Sequence, residues 1–174
     1  LSTPLRELTA DDLTAYASSA FLTVGEVADY LYLLPRILEI SIYDDFWWPD
    51  IEVTAKAIRE SGLASWPEVR REAITSLLIV FVENIMASGE YSRLDSWICA
   101  IGRMELDVRP YLAIVEKDAK AVLAYWEDNS GKLNEGKLGN SFWDPPNKEH
   151  DVIVEWLRSD RVNRIYAYAY GYKP

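Results

Sequence analysis

Hydrophobic positions recur along most of this chain at spacings of three and four, and Gly or Pro interrupts them at intervals suited to helices. Thr9 and Asp12 form a capping-box pattern that predicts a first helix reaching Leu22, with Leu13, Tyr16, Ala17, Ala20 and Phe21 inward and Gly25 ending it. The next run, Glu26 to Tyr43, places Val27, Leu31, Leu34, Leu38 and Ile42 on one face and Leu33 and Ile40 nearly opposite. A helix apolar on both sides is one buried by neighbours, so this pattern predicts the central helix. Pro35 lacks a backbone donor and crowds the Leu31 carbonyl, which predicts a kink or break at Leu34.

Beyond a connector at Asp44 to Trp48, Pro49 with Asp50 and Glu52 opens a third helix that stops at Gly62. Trp66, Pro67, Glu68 and Val69 repeat the chemistry of Trp48, Pro49, Asp50 and Ile51, which predicts a shared helix entry stapled to the core by tryptophan. The fourth helix, Pro67 to Met86, carries apolar residues round most of its circumference and reads as a second buried helix. A fifth follows from Tyr91 to Ile101, and a sixth from Asp107 to Glu127, with Pro110 tolerable in its first turn. The stretch 128–148 holds Gly131, Gly136, Gly139, Pro145 and Pro146 without periodicity, the signature of a mobile loop. A seventh helix spans Asn147 to Arg158, and Ser159 caps an eighth; the Tyr-rich end, 166–172, alternates with period two and is open to helix, strand or tail. The pattern therefore predicts an all-α single domain over residues 1–174 with about eight antiparallel helices. Helix pairs starting near residues 9, 49, 90 and 147 suit HEAT-like stacked hairpins, an α-α superhelix; an irregular helical bundle is the alternative.

Asp29 and the run Leu34, Pro35, Arg36, Ile37, Leu38, Glu39 resemble a segment of an uncharacterised family of small bacterial helical proteins, in which an Asp-Phe-Arg-His-Phe pentapeptide precedes Leu-Pro-Arg-Ile-Leu-Glu. The likeness covers about a dozen residues, Asp29 to Ile40. Leu31 and Tyr32 stand where that segment carries its basic pair, so no role of the pair transfers. The resemblance implies a bacterial, cytosolic setting and no mechanism.

Charge changes the picture more than composition does. The formal net charge is -10, yet residues 156–174 carry a local +3, leaving -13 on the rest. Such a surface repels a phosphate backbone and points to a basic protein partner or simply to solubility, and away from nucleic acid. One cysteine, Cys99, excludes an internal disulfide, and with a single histidine, His150, no Cys/His zinc site can form within the chain. No run of ~18 apolar residues marks a membrane span, and the expected setting is cytoplasmic. No cofactor motif is present. Gly131 to Leu138 approaches a phosphate-binding loop, but Leu138 replaces the magnesium-binding Ser or Thr and the segment follows a helix where a strand is required. His150, between Glu149 and Asp151, reads as a solvated helix-entry residue with no nucleophile beside it, and Cys99 as a small buried hydrophobe.

Two groups of residues remain as candidate sites. Asp44, Asp45, Trp47 and Trp48, with Asp50 and Glu52 beyond them, form an acidic aromatic segment suited to a protein partner; the competing reading gives these acids to helix capping. A sugar or divalent cation is a further reading of the same acids beside indoles. Tyr32, Arg36, Glu39 and Tyr43 make a polar stripe on the second helix, either a buried cluster tying helices together or the lining of a pocket. The sequence thus favours a non-enzymatic protein-binding protein, for example an immunity-type inhibitor of a nuclease toxin, with a small-molecule-binding or hydrolytic enzyme as the alternative. The stripe yields a direct prediction. Arg36 is expected to be internally paired, so Arg36→Ala lowers stability by about 1.5–3 kcal/mol in denaturant titration, the worth of a hydrogen bond to a charged group; a variant as stable as the parent would mark Arg36 as a surface group.

Overall fold

In the computed structural model, which describes residues 3–19, 26–44 and 46–171, every regular element is helical. In chain order these are α1 (Ala10–Ser19), α2 (Val27–Tyr43), α3 (Ile51–Glu60), α4 (Glu68–Ser88), α5 (Leu94–Arg103), α6 (Arg109–Val115), α7 (Ala119–Leu133), α8 (Lys148–Leu157) and α9 (Asp160–Ala169). The all-α expectation holds. Local chemistry sets several boundaries. Thr9 and Asp12 do form the capping box, with Asp12 Oδ2 accepting the Thr9 N–H at 2.9 Å and Thr9 Oγ1 accepting the Asp12 N–H at 3.3 Å. Gly62 and Gly89 take positive φ at the ends of α3 and α4, as a helix C-terminus favours. Ser159 accepts the Val162 N–H at the start of α9, and this helix runs to Ala169, so Tyr166 and Tyr168 of the alternating stretch are helical, Tyr170 is its C-cap, and Tyr172 lies outside the described residues. Residues Ala20 to Gly25, on which the end of the first helix was expected, and Asp45 lie outside the described residues.

The centre of the molecule is α5 rather than α2. Leu94, Trp97, Ile98, Cys99, Ala100, Ile101 and Gly102 are all buried, and α5 packs against α3, α4, α7 and α8. Its most extensive contact is with α3, where Ala55, Ala57 and Ile58 are buried. Small side chains on both helices permit close approach of their axes. Helix α2 instead buries one broad arc, Tyr30, Leu33, Leu34, Ile37, Leu38, Ile40 and Ser41, and leaves Val27, Tyr32, Pro35, Glu39 and Tyr43 exposed. The two apolar faces read from the sequence are the edges of this arc. Its middle is held by Tyr30 and Ser41, whose hydroxyls are satisfied by Thr54 O at 3.3 Å and Ile37 O at 2.8 Å. Pro35 does not break α2, because it lies on the exposed side where water can take the carbonyl it leaves unpaired.

Four further expectations change. Helix α4 buries Ile74, Leu78, Phe81, Val82 and Ile85 but exposes Val69, Leu77 and Val80, so it is a one-faced surface helix. The predicted sixth helix is two, α6 and α7, because Asp118 caps a new start through the Lys120 N–H at 2.8 Å and is held there by the Tyr91 hydroxyl at 2.5 Å. The Trp-Pro starts are not equivalent: Trp66 is buried with its N–H on Ser61 O at 3.4 Å, whereas Trp48 is exposed and followed by a cis peptide. Finally, the stretch 128–148 is not all loop. Helix α7 runs to Leu133, Leu138 and Trp143 are buried, and a single 3-10 turn spans Ser141–Trp143.

Two asparagines anchor that stretch. Buried Asn129 donates to Asp95 Oδ1 at 2.9 Å and accepts the Gly139 N–H at 2.8 Å, and Asn140 donates to Glu52 Oε1 at 2.8 Å. The near-miss phosphate motif falls here, following a helix, with the Lys137 ammonium 3.5 Å from Glu135 and that of Lys132 on Gly139 O at 3.4 Å. Asn147 then opens α8, accepting the N–H groups of Glu149 and His150 at 3.1 Å each. That cap turns both side chains inward, which corrects the reading of His150 as solvated: it is buried, edge-on to the Trp143 ring at 5.7 Å. Glu149 accepts the Val108 N–H at 3.0 Å.

Trp143 packs where α5 has no side chain. A Cβ at Gly102 would lie 2.9 Å from Trp143 Cζ3 and nearer still to Cη2. Gly102→Ala therefore destabilises the fold by about 2 kcal/mol through overpacking. The penalty shrinks when Trp143 is first replaced by Leu, and a double-mutant cycle in urea measures that coupling; equal penalties in the two backgrounds would show that the ring does not set it.

Candidate functional site

The acidic segment and the start of α3 meet the N-terminal end of α5 in two adjoining recesses, of about 280 and 460 Å³, that share Asp50, Glu52, Ser92 and Ser96. Asp44 and Trp47 line the first recess; Asp95 and Asp128 line the second. Of the residues singled out in the sequence, Asp44 and Trp47 thus reach the site, Trp48 stands exposed beside it, and Asp45 lies outside the described residues. Asp44 also shapes its own turn, accepting the Phe46 N–H at 2.9 Å.

Glu52 is the unusual member. It is only 3% exposed, and among the described residues no lysine, arginine or histidine nitrogen lies within 4.0 Å of its carboxylate. Oε1 accepts from Asn140, while Oε2 has no hydrogen-bond partner. Burial raises its pKa above the ordinary 4.5; the Asn140 hydrogen bond first, and then the nearby polar groups of its own backbone and Ser96, pull the other way, and Asp50 adds a further push upward. The second buried carboxylate, Glu149, differs in having the Lys148 ammonium 3.5 Å away. The Trp47 indole N–H is likewise buried without a partner and belongs to the same recess.

Among the described residues lining the two recesses, the one basic side chain, Arg93, is committed elsewhere. Arg93 donates to Ser41 O at 3.3 Å and Ile42 O at 3.1 Å at the end of α2, and its guanidinium sits 5.0 Å from the centroid of the Phe81 ring. Asp128 has a raised pKa, from burial first and then from the neighbouring Asp95 and Glu127. Asp50 stands at the N-cap of α3 without a side-chain cap bond and Glu52 lies in its first turn, positions that suit the helix dipole, but Glu52 is also buried. Among the described residues no group of three His, Cys, Asp or Glu side chains is placed to hold a metal ion.

The polar stripe of α2 lies apart from this site. Arg36 donates to Leu8 O at 2.8 Å and pairs with Glu39 at 2.9 Å, fastening the segment before α1 to α2 through a carbonyl other than the one Pro35 frees. Tyr32, Glu39 and Tyr43 are exposed, so the four residues form neither a buried cluster nor a pocket lining between central helices. Cys99 is buried and its thiol is pushed up by burial, an inert hydrophobe as expected.

Sequence reasoning placed Glu52 among dipole-compensating acids and passed over Asp95, Asp128 and Asn140. One signal was available for Glu52, a carboxylate falling beside Ile51 and Ala55 on the apolar side of its helix. The others come together only through α5, α7 and the segment after it. No helix among the described residues is long and apolar enough to cross a membrane. Compared with known proteins, the chain matches no family model, and neither a curated protein nor a solved structure is similar to it.

The Glu52 environment sets a pH-dependent stability. Its folded pKa is raised, so the neutral form supports the fold fully below the ordinary value of 4.5 and that support is lost as pH rises through the folded value. Glu52→Gln, neutral at every pH and able to keep the Asn140 bond, is therefore more stable than the parent at neutral pH, with the difference closing in acid. Urea titrations of both proteins across that range check it; a parent more stable at neutral pH would show the charge to be compensated.

Proposed function

We propose that this chain is a non-enzymatic protein-binding protein whose contact surface is the corner between α2 and α3, and that its partner is basic. The observation that carries this reading is the exposure of three aromatic side chains within six residues: Tyr43 is 82%, Phe46 97% and Trp48 55% exposed. Aromatic side chains are enriched in protein interfaces, and a cluster of them left in water is a feature that binding would relieve. They neighbour in sequence Asp44 and Trp47, which line the acidic cleft, so one short segment of the chain offers both apolar contact and negative charge. A carboxylate-lined surface of this kind accelerates encounter with a basic partner and rejects acidic ones. An immunity-type inhibitor, covering the basic active site of a nuclease toxin, is the version that this combination of acids and aromatics suits best. The resemblance of Asp29 to Ile40 to small bacterial helical proteins agrees with such a setting.

The test is affinity capture from the native host with the parent and with a Tyr43→Ser, Phe46→Ser double variant. The expected result is a partner of high isoelectric point, held by the parent and weakened at least about tenfold by the variant, with thermal stability unchanged because neither side chain is buried. Capture of an acidic partner, or of a basic one indifferent to the two substitutions, would count against this surface.

A further inference from the structure

A carboxylate removed from water, with no cation to meet it, is normally driven to neutrality or is held for a ligand. Glu52 is in this position, and the groups acting on it are Asn140, Ser96, its own backbone N–H and another acid, Asp50. We propose that the cleft between the start of α3 and α5 is the seat of an organic cation, a primary ammonium or guanidinium on an aliphatic stem, whose charge is received by Glu52 and Asp50. The inference rests on the protein-binding reading and deepens it: the cation is a lysine or arginine side chain of the basic partner, inserted beside the aromatic corner.

Several features select this ligand class. Glu52 lines both recesses and also a third, of about 800 Å³, on the side of Lys56, Arg59 and Arg103. In the first two, Asp44, Asp50, Asp95 and Asp128 surround it with negative potential, and their single wall arginine, Arg93, is turned to the carbonyls of Ser41 and Ile42 and to Phe81. An ammonium or guanidinium needs hydrogen-bond acceptors spread over a wall, whereas a divalent metal ion needs several oxygens converging on one point, and no such convergence exists among the described residues. Trp47 adds an aromatic face that attracts a cation and an unpartnered indole N–H that can donate to a carbonyl carried on the same ligand. Glu52 is shielded from bulk water, so its charge acts on a cation in the recess through a setting of low dielectric constant, while the exposed Asp50 carboxylate is open to a direct hydrogen bond.

Small probes test the cleft independently of any partner. Butylguanidine, butylamine, butanol and magnesium ion are titrated separately into the full chain, followed by backbone NMR shifts and calorimetry. The expected result is saturable binding of the two cations in the millimolar range, centred on residues of α3 and α5, with none for butanol. Glu52→Gln should weaken it at least about tenfold, as loss of a charge acting through a low dielectric constant does, and Asp50→Asn on the exposed rim should weaken it less. Both variants are checked for native far-UV and near-UV circular dichroism. No saturation, equal binding of butanol, binding unchanged in Glu52→Gln, or magnesium bound at the same residues in place of the amines would overturn the proposal. The captured partner separates the two readings. If Glu52→Gln leaves its affinity intact while Tyr43→Ser, Phe46→Ser abolishes it, the surface reading survives and the cation seat is overturned as a partner contact. If the small cations bind through Glu52 and no partner is held, the seat stands for a free amine or guanidine and the surface reading falls.

Discussion

The close packing of α3 on α5 is the constraint from which the other features follow. Both helices carry small residues where they are buried, Ala55 and Ala57 on one and Cys99, Ala100 and Gly102 on the other, and axes separated by such side chains can approach closely. The same approach carries Glu52 inside with Ile51, Ala55 and Ile58, although a carboxylate resists leaving water. It also leaves at Gly102 the space that Trp143 fills, so the chain after α7 is drawn back across the core.

That return is fixed by hydrogen bonding as much as by burial. Asn129 holds the Gly139 N–H and Asp95, and Asn140 reaches Glu52, so α3, α5 and α7 are tied to one short segment by two amide side chains. Gly139 is needed there because a Cβ would fall on the Asp128 carbonyl oxygen. A region rich in glycine and proline is thereby ordered through specific contacts, each made to a residue remote in sequence.

Tyr43, Phe46 and Trp48 are exposed rings, and of the acids lining the two recesses Glu52 alone is buried. Satisfying Glu52 within the fold would have needed only a lysine or arginine nearby, as Glu149 has in Lys148. The fold instead turns Arg93 to the end of α2, and among the described residues no basic side chain pairs with Glu52. Stability is given up where a cationic ligand would restore it, a pattern common to binding sites.

The sequence alone determined the helical class, most helix boundaries and the capping of α1 and α9, because spacing, glycine and capping residues act over a few neighbours. It also marked Asp44 and Trp47, since acids beside indoles are conspicuous in any frame. Which helix is central was not legible: Tyr30 and Ser41 look polar until the carbonyls of Thr54 and Ile37 satisfy them, and the apolar run of α4 looks buried although neighbours cover only one of its sides. The tertiary structure alone decided that Glu52 is buried without a cation and that Asp95, Asp128 and Asn140 stand around it. Burial and the absence of a counter-charge are properties of what surrounds a side chain, and those surroundings are assembled from α5, α7 and the segment beyond, 40 to 90 residues away along the chain.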